Sequence, residues 1–221
     1  MNKDKLKKIE QKITDKIEEK VLSLKVFDEP RPDYVSKVTI FDKILEKTIL
    51  KLFPDFVRPN FLTIFRFVSI PFVIFFLIHE DYKIGLCLFI ISAFSDALDG
   101  ALARTRNEIT DWGIVFDPFA DKLLIASVSM IVISKFINSF LAGTIVSIEV
   151  LLIVFSYFRF KGEIVPAKTV GKIKMILQSV GLSILLLSVV LNLPVLVAVA
   201  TYTFYLAIAF ALSSLFIYRS I

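Results

Sequence analysis

The sequence predicts an all-α integral membrane protein: a six-transmembrane-helix bundle preceded by an interfacial amphipathic helix. Three observations predict it. Of 221 residues, 56% are hydrophobic and 22 are Phe, which is too apolar for a soluble domain. Several apolar runs reach about 18 residues, enough to cross a hydrocarbon core of about 30 Å. Lys and Arg fall mainly outside these runs, with 14 of 26 in the first 58 residues.

The chain divides into residues 1–26, 27–57 and 58–221. In the first segment Leu6, Ile9, Ile13, Ile17, Val21 and Leu24 recur every three or four residues among Lys and Glu, the pattern of a charged, largely solvated helix with a narrow apolar stripe. Nothing there has the apolar core of a signal peptide, so this segment is expected to be retained. Phe27 to Tyr34 carries two prolines and several charges and reads as a linker. From residue 40 to 56, Phe41, Ile44, Leu45, Ile49, Leu52, Phe53 and Phe56 share a face opposite Lys43, Glu46, Lys47 and Lys51. That is the pattern of a juxtamembrane helix lying along the bilayer.

Six apolar spans follow, at roughly 61–78, 84–103, 113–134, 138–158, 173–192 and 195–217. One set of connections holds Arg104, Arg106, Arg159, Lys161, Lys168, Lys172 and Lys174, and the other only Lys83 and Lys135. The positive-inside rule therefore places both termini and the first set on the cytoplasmic side of the cell membrane. The basic charge reads as contact with membrane lipid rather than nucleic acid, because no aromatics interleave with it. Cys87 is the only cysteine, so no disulfide or thiolate cluster forms, and His79 falls near an outward turn.

The chemistry lies between Asp96 and Asp121. On a helix, Asp96, Asp99, Gly100, Ala103 and Arg104 share one face. Gly113, Asp117 and Asp121 repeat the device at intervals of four on the next helix. A short turn makes these helices antiparallel neighbours, so the four carboxylates are expected to meet just below the cytoplasmic surface. Such a cluster in a membrane demands compensating positive charge. All-oxygen ligation suits Mg²⁺, Mn²⁺ or Ca²⁺, and paired ions suit phosphoryl transfer. Small residues at Gly100, Ala103 and Gly113 leave room for ligand approach or for close helix packing.

Asp-x2-Asp-Gly-x2-Ala-Arg-x8-Gly-x3-Asp-x3-Asp, matched at Asp96, Asp99, Gly100, Ala103, Arg104, Gly113, Asp117 and Asp121, resembles the signature of the CDP-alcohol phosphotransferase (CDP-alcohol phosphatidyltransferase) family. Eight fixed positions arise by chance on the order of once per billion starts. Arg58 to Arg66 (RPNFLTIFR) is similar to the opening motif of the same family, which brings Asn60 and Thr63 near the nucleotide. Arg66 either joins them or snorkels to the interface.

The resemblance covers about the last three quarters of the chain. It implies a metal-dependent enzyme, usually a homodimer, whose active site faces the cytoplasm and which moves a phosphatidyl group from CDP-diacylglycerol to a small polar alcohol, releasing CMP. It further implies Asp96, Asp99, Asp117 and Asp121 as ligands of two divalent ions, Mg²⁺ or Mn²⁺. Asp121 is then also the general base, and Asn60, Thr63, Gly100, Ala103, Arg104 and Gly113 line the CDP-lipid pocket.

Phe116 to Leu123 and Pro166 to Lys174 look like the phosphatidylglycerophosphate synthase branch, which uses glycerol 3-phosphate. Lys122, Arg159, Lys168, Lys172 and Lys174 are the candidate acceptor contacts. That branch often carries an Arg-Glu pair where this chain has Ile148 and Glu149, which leaves inositol phosphate or another alcohol open. An ion or proton transporter, or a non-catalytic membrane scaffold, are the readings of other classes.

Overall fold

A computed structural model describes residues 40–48, 50, 58–106, 108–159 and 169–219. They form a short helix α1 (Ile40–Thr48) and six long ones: α2 (Pro59–Ile78), α3 (Tyr82–Arg106), α4 (Asp111–Phe136), α5 (Ser139–Arg159), α6 (Thr169–Leu191) and α7 (Pro194–Arg219). The six apolar runs thus fold as helices within a few residues of their expected ends. The expected charged helix over residues 1–26, the linker, and residues 49 and 51–57 of the juxtamembrane helix lie outside the described residues.

Local chemistry sets the helix ends. Pro59 opens α2, where its missing N–H costs nothing, behind an extended Arg58. Thr110 caps α4 by accepting the Gly113 N–H at 3.1 Å. The α2–α3 and α6–α7 turns are both Schellman motifs. Asp81 N–H donates to Phe76 O and Glu80 N–H to Leu77 O, and Leu193 N–H donates to Ser188 O and Asn192 N–H to Val189 O. Glu80 (φ 65°) and Asn192 (φ 54°) take the left-handed position, which Asn tolerates better than Glu. Lys135 at the end of α4 reaches Glu80 at 2.5 Å and holds that exposed carboxyl below its usual range.

Val73, Leu77, Phe89, Leu124, Val128, Leu182, Leu185, Leu186 and Phe204 form the buried centre of the bundle. The outer surface is as apolar as the core, with Phe61, Phe72, Phe75, Ile91, Leu151, Ile176, Val195 and Tyr202 all exposed. Such a surface is untenable in water and suits hydrocarbon. Among the described residues, four helical segments are long and apolar enough to cross a membrane: Pro59–Ile78, Tyr82–Arg106, Ile173–Leu191 and Pro194–Ser214. The chain is a multi-pass membrane protein. α4 carries Asp117, Asp121, Lys122 and Lys135 along its length, and the apolar part of α5 is the shorter segment Ser139–Val154.

Packing order differs from the expectation in one respect. α2 packs against both α3 and α4, which touch each other only slightly. The two helices carrying the carboxylate pairs are thus joined chiefly through a third, while their carboxylates stay within electrostatic reach of one another. In the connection, the Glu108 N–H turns back to Ala103 O at 3.0 Å and Thr110 is extended at the start of α4. α6 makes its most extensive contact with α7. There Gly181 faces Phe204, so a Cβ at 181 would sit 2.8 Å from the Phe204 ring and 2.6 Å from Thr203 Oγ1. With Phe204 fully buried, Gly181→Leu is expected to destabilise by about 2 kcal/mol or more through overpacking. Thermal unfolding in detergent reads the effect.

α1 does not simply lie on lipid. Leu45 joins Leu50, Leu62, Leu98, Ala101 and Leu102 in a second buried cluster, docking α1 on α2 and α3 at the carboxylate end. Lys43 and Lys47 are exposed as the stripe requires, and Asp42 is buried with the apolar face.

Candidate active site

The centre of the site is Arg66, which the apolar face of α2 carries into the bundle with no solvent exposure. Its Nη2 donates to Asp99 Oδ2 at 2.8 Å, its Nη1 lies 3.1 Å from Asp96 Oδ1, and its Nε donates to Ser92 O at 3.4 Å. Ser69 Oγ, one turn on, bonds the Ser92 hydroxyl at 2.6 Å and ties α2 to α3 below the arginine. Arg66 therefore does not snorkel to water. A buried guanidinium between two carboxylates supplies the compensating charge that the sequence demanded.

One turn before Arg66, on much the same face of α2, Thr63 Oγ1 donates to Asp117 Oδ1. Asn60 Oδ1 accepts from Thr110 Oγ1 at 2.9 Å, joining the start of α2 to the cap of α4. Asp121 is buried one turn deeper than Asp117, within electrostatic reach of Asp96 and Arg66. α2 thus engages both carboxylate pairs, Arg66 on α3 and Thr63 on α4.

The donor set fits hard divalent cations: four carboxylates, all-oxygen, from two helices. Among the described residues, however, no group of three or more His, Cys, Asp or Glu side chains is arranged to hold an ion. Arg66 and Thr63 hold three of the four carboxylates as bonding partners, and Asp99, Asp117 and Asp121 all lie within electrostatic reach of Asp96. Gly113 is buried and lets three polar side chains close in, since a Cβ there would lie 3.2 Å from Asp117 Oδ2, 3.3 Å from Thr110 Oγ1 and 3.4 Å from Asn60 Oδ1.

Arg104 and Gly100 prove to be one unit. A Cβ at Gly100 would lie 3.1 Å from Arg104 Nη1 and 3.3 Å from Nη2, so the glycine makes room for the guanidinium. Arg104 in turn donates from Nε and Nη2 to the two oxygens of Asp42 at 2.9 and 2.7 Å. Ala103 beside it is half-buried.

Among the candidate acceptor contacts, Lys122 is half-buried and within electrostatic reach of Glu149 and Asp121. Lys174 is buried, its ammonium 2.5 Å from Glu149 Oε1, which also accepts from Gln178 Nε2 at 2.9 Å. Glu149 Oε2 is buried without a hydrogen-bond partner among the described residues. Lys168 and the side chains of Arg159 and Lys172 lie outside the described residues. Sequence reasoning missed Asp42, Glu149 and Gln178 as partners. A carboxylate inside an apolar span was the signal for Glu149, whereas Asp42, amid the lysines of an amphipathic helix, offered none.

A multi-pass membrane scaffold, helical throughout its described residues and holding two carboxylate pairs and two arginines at one end, defines a class of membrane-embedded proteins built around a buried charged site. Comparison makes this particular. A family model described as CDP-alcohol phosphatidyltransferase matches residues 56–213, and the chain belongs to that family of transferases in phospholipid biosynthesis. Among its relatives, the CDP-diacylglycerol–glycerol-3-phosphate 3-phosphatidyltransferase of Rickettsia typhi is 36% identical over 141 residues, covering 58% of this chain and 75% of that protein. The protein of the same description from Salmonella choleraesuis is 33% identical over 138 residues, covering 58% and 75%. A cardiolipin synthase (CMP-forming)/mitochondrial hydrolase fusion protein of Schizosaccharomyces pombe is 33% identical over 113 residues, half of this chain but 19% of that one.

Proposed function

We propose that the protein transfers the phosphatidyl group of CDP-diacylglycerol to the hydroxyl of glycerol 3-phosphate, releasing CMP. The observation that carries this reading is the joining of Asp96, Asp99 and Asp117 to buried Arg66 and Thr63 at one end of the bundle, with Asp121 one turn beyond Asp117 and all four at the family's spacing. Relatives whose description names glycerol 3-phosphate, matched over three quarters of their length, support the acceptor.

In this reading the six long helices all cross the membrane, with α1 along the cytoplasmic interface. The excess of Lys and Arg in the connections on the side of Arg104 supports cytoplasmic termini and a cytoplasm-facing site. α4 and α5 cross as well, the carboxylates of α4 being turned to Thr63 and Arg66 instead of lipid. Two copies pair as a homodimer, as the family resemblance implies.

Asp96, Asp99, Asp117 and Asp121 would hold the two divalent ions on which the family depends, Mg²⁺ or Mn²⁺, and these would neutralise the pyrophosphate of the CDP-lipid. Asn60, Thr63, Gly100, Ala103, Arg104 and Gly113 form the nucleotide side, where Arg104 offers a fork to phosphate. Asp121 accepts the proton of the acceptor hydroxyl as its oxygen attacks the lipid-side phosphorus. The bond from that phosphorus to the bridging oxygen breaks, and CMP leaves with its electron pair. Lys122 and Lys174, with Arg159, Lys168 and Lys172, supply charge for the acceptor's own phosphate. Gly113→Ala is expected to raise KM for CDP-diacylglycerol about tenfold by pushing Asp117, Thr110 and Asn60 out of place, since its Cβ would crowd all three.

The test is CMP release from CDP-diacylglycerol by purified protein in detergent with Mg²⁺ or Mn²⁺. The acceptors are glycerol 3-phosphate, inositol phosphate, inositol and serine. Release that depends on glycerol 3-phosphate is the expected result. Dependence on another acceptor overturns the acceptor assignment, and silence across the panel in a folded sample overturns the reaction.

A further inference from the structure

We propose that Asp42, on the juxtamembrane helix and outside the matched family segment, is a positioning residue that sets Arg104 for the CDP-lipid. The inference rests on the reading of Arg104 as a nucleotide-side contact.

Asp42 is 1% exposed although it lies on a helix whose lysines face solvent. Burying a carboxylate is costly unless it is paired, so the apolar docking of α1 through Leu45 and Leu50 commits Asp42 to a partner. That partner is Arg104, gripped along one edge through Nε at 2.9 Å and Nη2 at 2.7 Å. Two parallel bonds fix the plane of a guanidinium as well as its position. The Nη1 corner lies over Gly100 on the face that carries Asp96 and Asp99, and makes no hydrogen bond among the described residues. Arg104 is one third exposed, so its side chain is within reach of solvent and of a phosphate oxygen while Asp42 holds the Nε–Nη2 edge. The family match begins at residue 56, so a segment N-terminal to it completes the signature arginine.

Without Asp42 the guanidinium is free to rotate, and binding the substrate must then also order a long side chain. The effect falls on substrate binding, because Arg104 stands on the nucleotide side and away from the base Asp121. The experiment measures kcat and KM for CDP-diacylglycerol in full-length wild type, Asp42→Asn, Asp42→Glu, Arg104→Gln and the double variant Asp42→Asn/Arg104→Gln. Asp42→Asn is expected to raise KM about tenfold with kcat within about twofold, and Asp42→Glu to recover most of the loss. In the double variant KM should match that of Arg104→Gln alone, because Asp42 acts through Arg104.

Additive effects in the double variant overturn the proposal, as does an unchanged or lowered KM in Asp42→Asn, the lowered value meaning that Asp42 competes with the substrate. A kcat loss at constant KM, accompanied by a lower melting temperature, assigns Asp42 a structural role only and also overturns it. If Arg104→Gln itself leaves KM unchanged, the nucleotide reading of Arg104 fails, a result distinct from failure of Asp42 alone.

Discussion

Asp121→Asn is expected to reduce kcat for CMP release by about a thousandfold or more while leaving the protein folded. Asn keeps the shape of the side chain and loses the capacity to take a proton. The loss is therefore chemical, and KM for CDP-diacylglycerol should change much less than kcat. Asp121 is buried one helical turn from Asp117 and within electrostatic reach of Asp96. Removing one of several like charges relieves repulsion in the metal-free protein, so its melting temperature should equal or exceed that of wild type. The paired readout separates catalysis from folding. A variant that keeps more than a tenth of wild-type kcat would show that some other group takes the proton.

The second large effect is expected from Arg66→Leu. Arg66 is fully buried, and its two terminal nitrogens face Asp99 and Asp96. Truncating one partner of a buried pair leaves the other as an uncompensated charge, at a cost of about 3–5 kcal/mol. For a chain of this size that corresponds to a fall in melting temperature of roughly 10 °C. The fall should be largest in EDTA and smaller with saturating Mg²⁺, because a bound cation replaces the missing positive charge beside the same carboxylates. Arg66→Lys should fall between, retaining charge without the fork that spans two acids. An Arg66→Leu protein that melts like wild type in EDTA would show that the arginine does not compensate the acidic pair. One that melts equally low with and without Mg²⁺ would separate Arg66 from the cation site.

Much of this was legible in the residues. Asp96 and Asp99, and Asp117 and Asp121, lie within single helices, where a three- or four-residue spacing is enough to put side chains on a common face. The helices themselves were equally local, because the runs between charged connections were long enough to be helical. The amphipathic stripe anticipated the burial of Leu45 and the exposure of Lys43 and Lys47.

Arg66 marks where this legibility stops. A lone arginine in a mostly apolar helix of 20 residues announces that it needs a partner, yet snorkelling and burial are consistent with the same local sequence. Its acceptor Asp99 lies 33 residues away, and Asp42 and Arg104 are 62 apart. Gly100 similarly suggested ligand approach, and the fold spends that space on the guanidinium of Arg104.

The sequence by itself determined the helices, the faces carrying their acids and the membership of the family. These follow from periodicity and spacing within contiguous segments. Only the tertiary structure decided that α2 packs between α3 and α4, that Arg66 and Thr63 engage the two carboxylate pairs, and that α1 delivers Asp42 to Arg104. The physical reason is that lipid and protein core are equally apolar solvents. Hydrophobic patterning in a membrane helix therefore does not tell which face meets a neighbour, and helix order is chosen by polar pairs and close packing that exist only once the chain has folded.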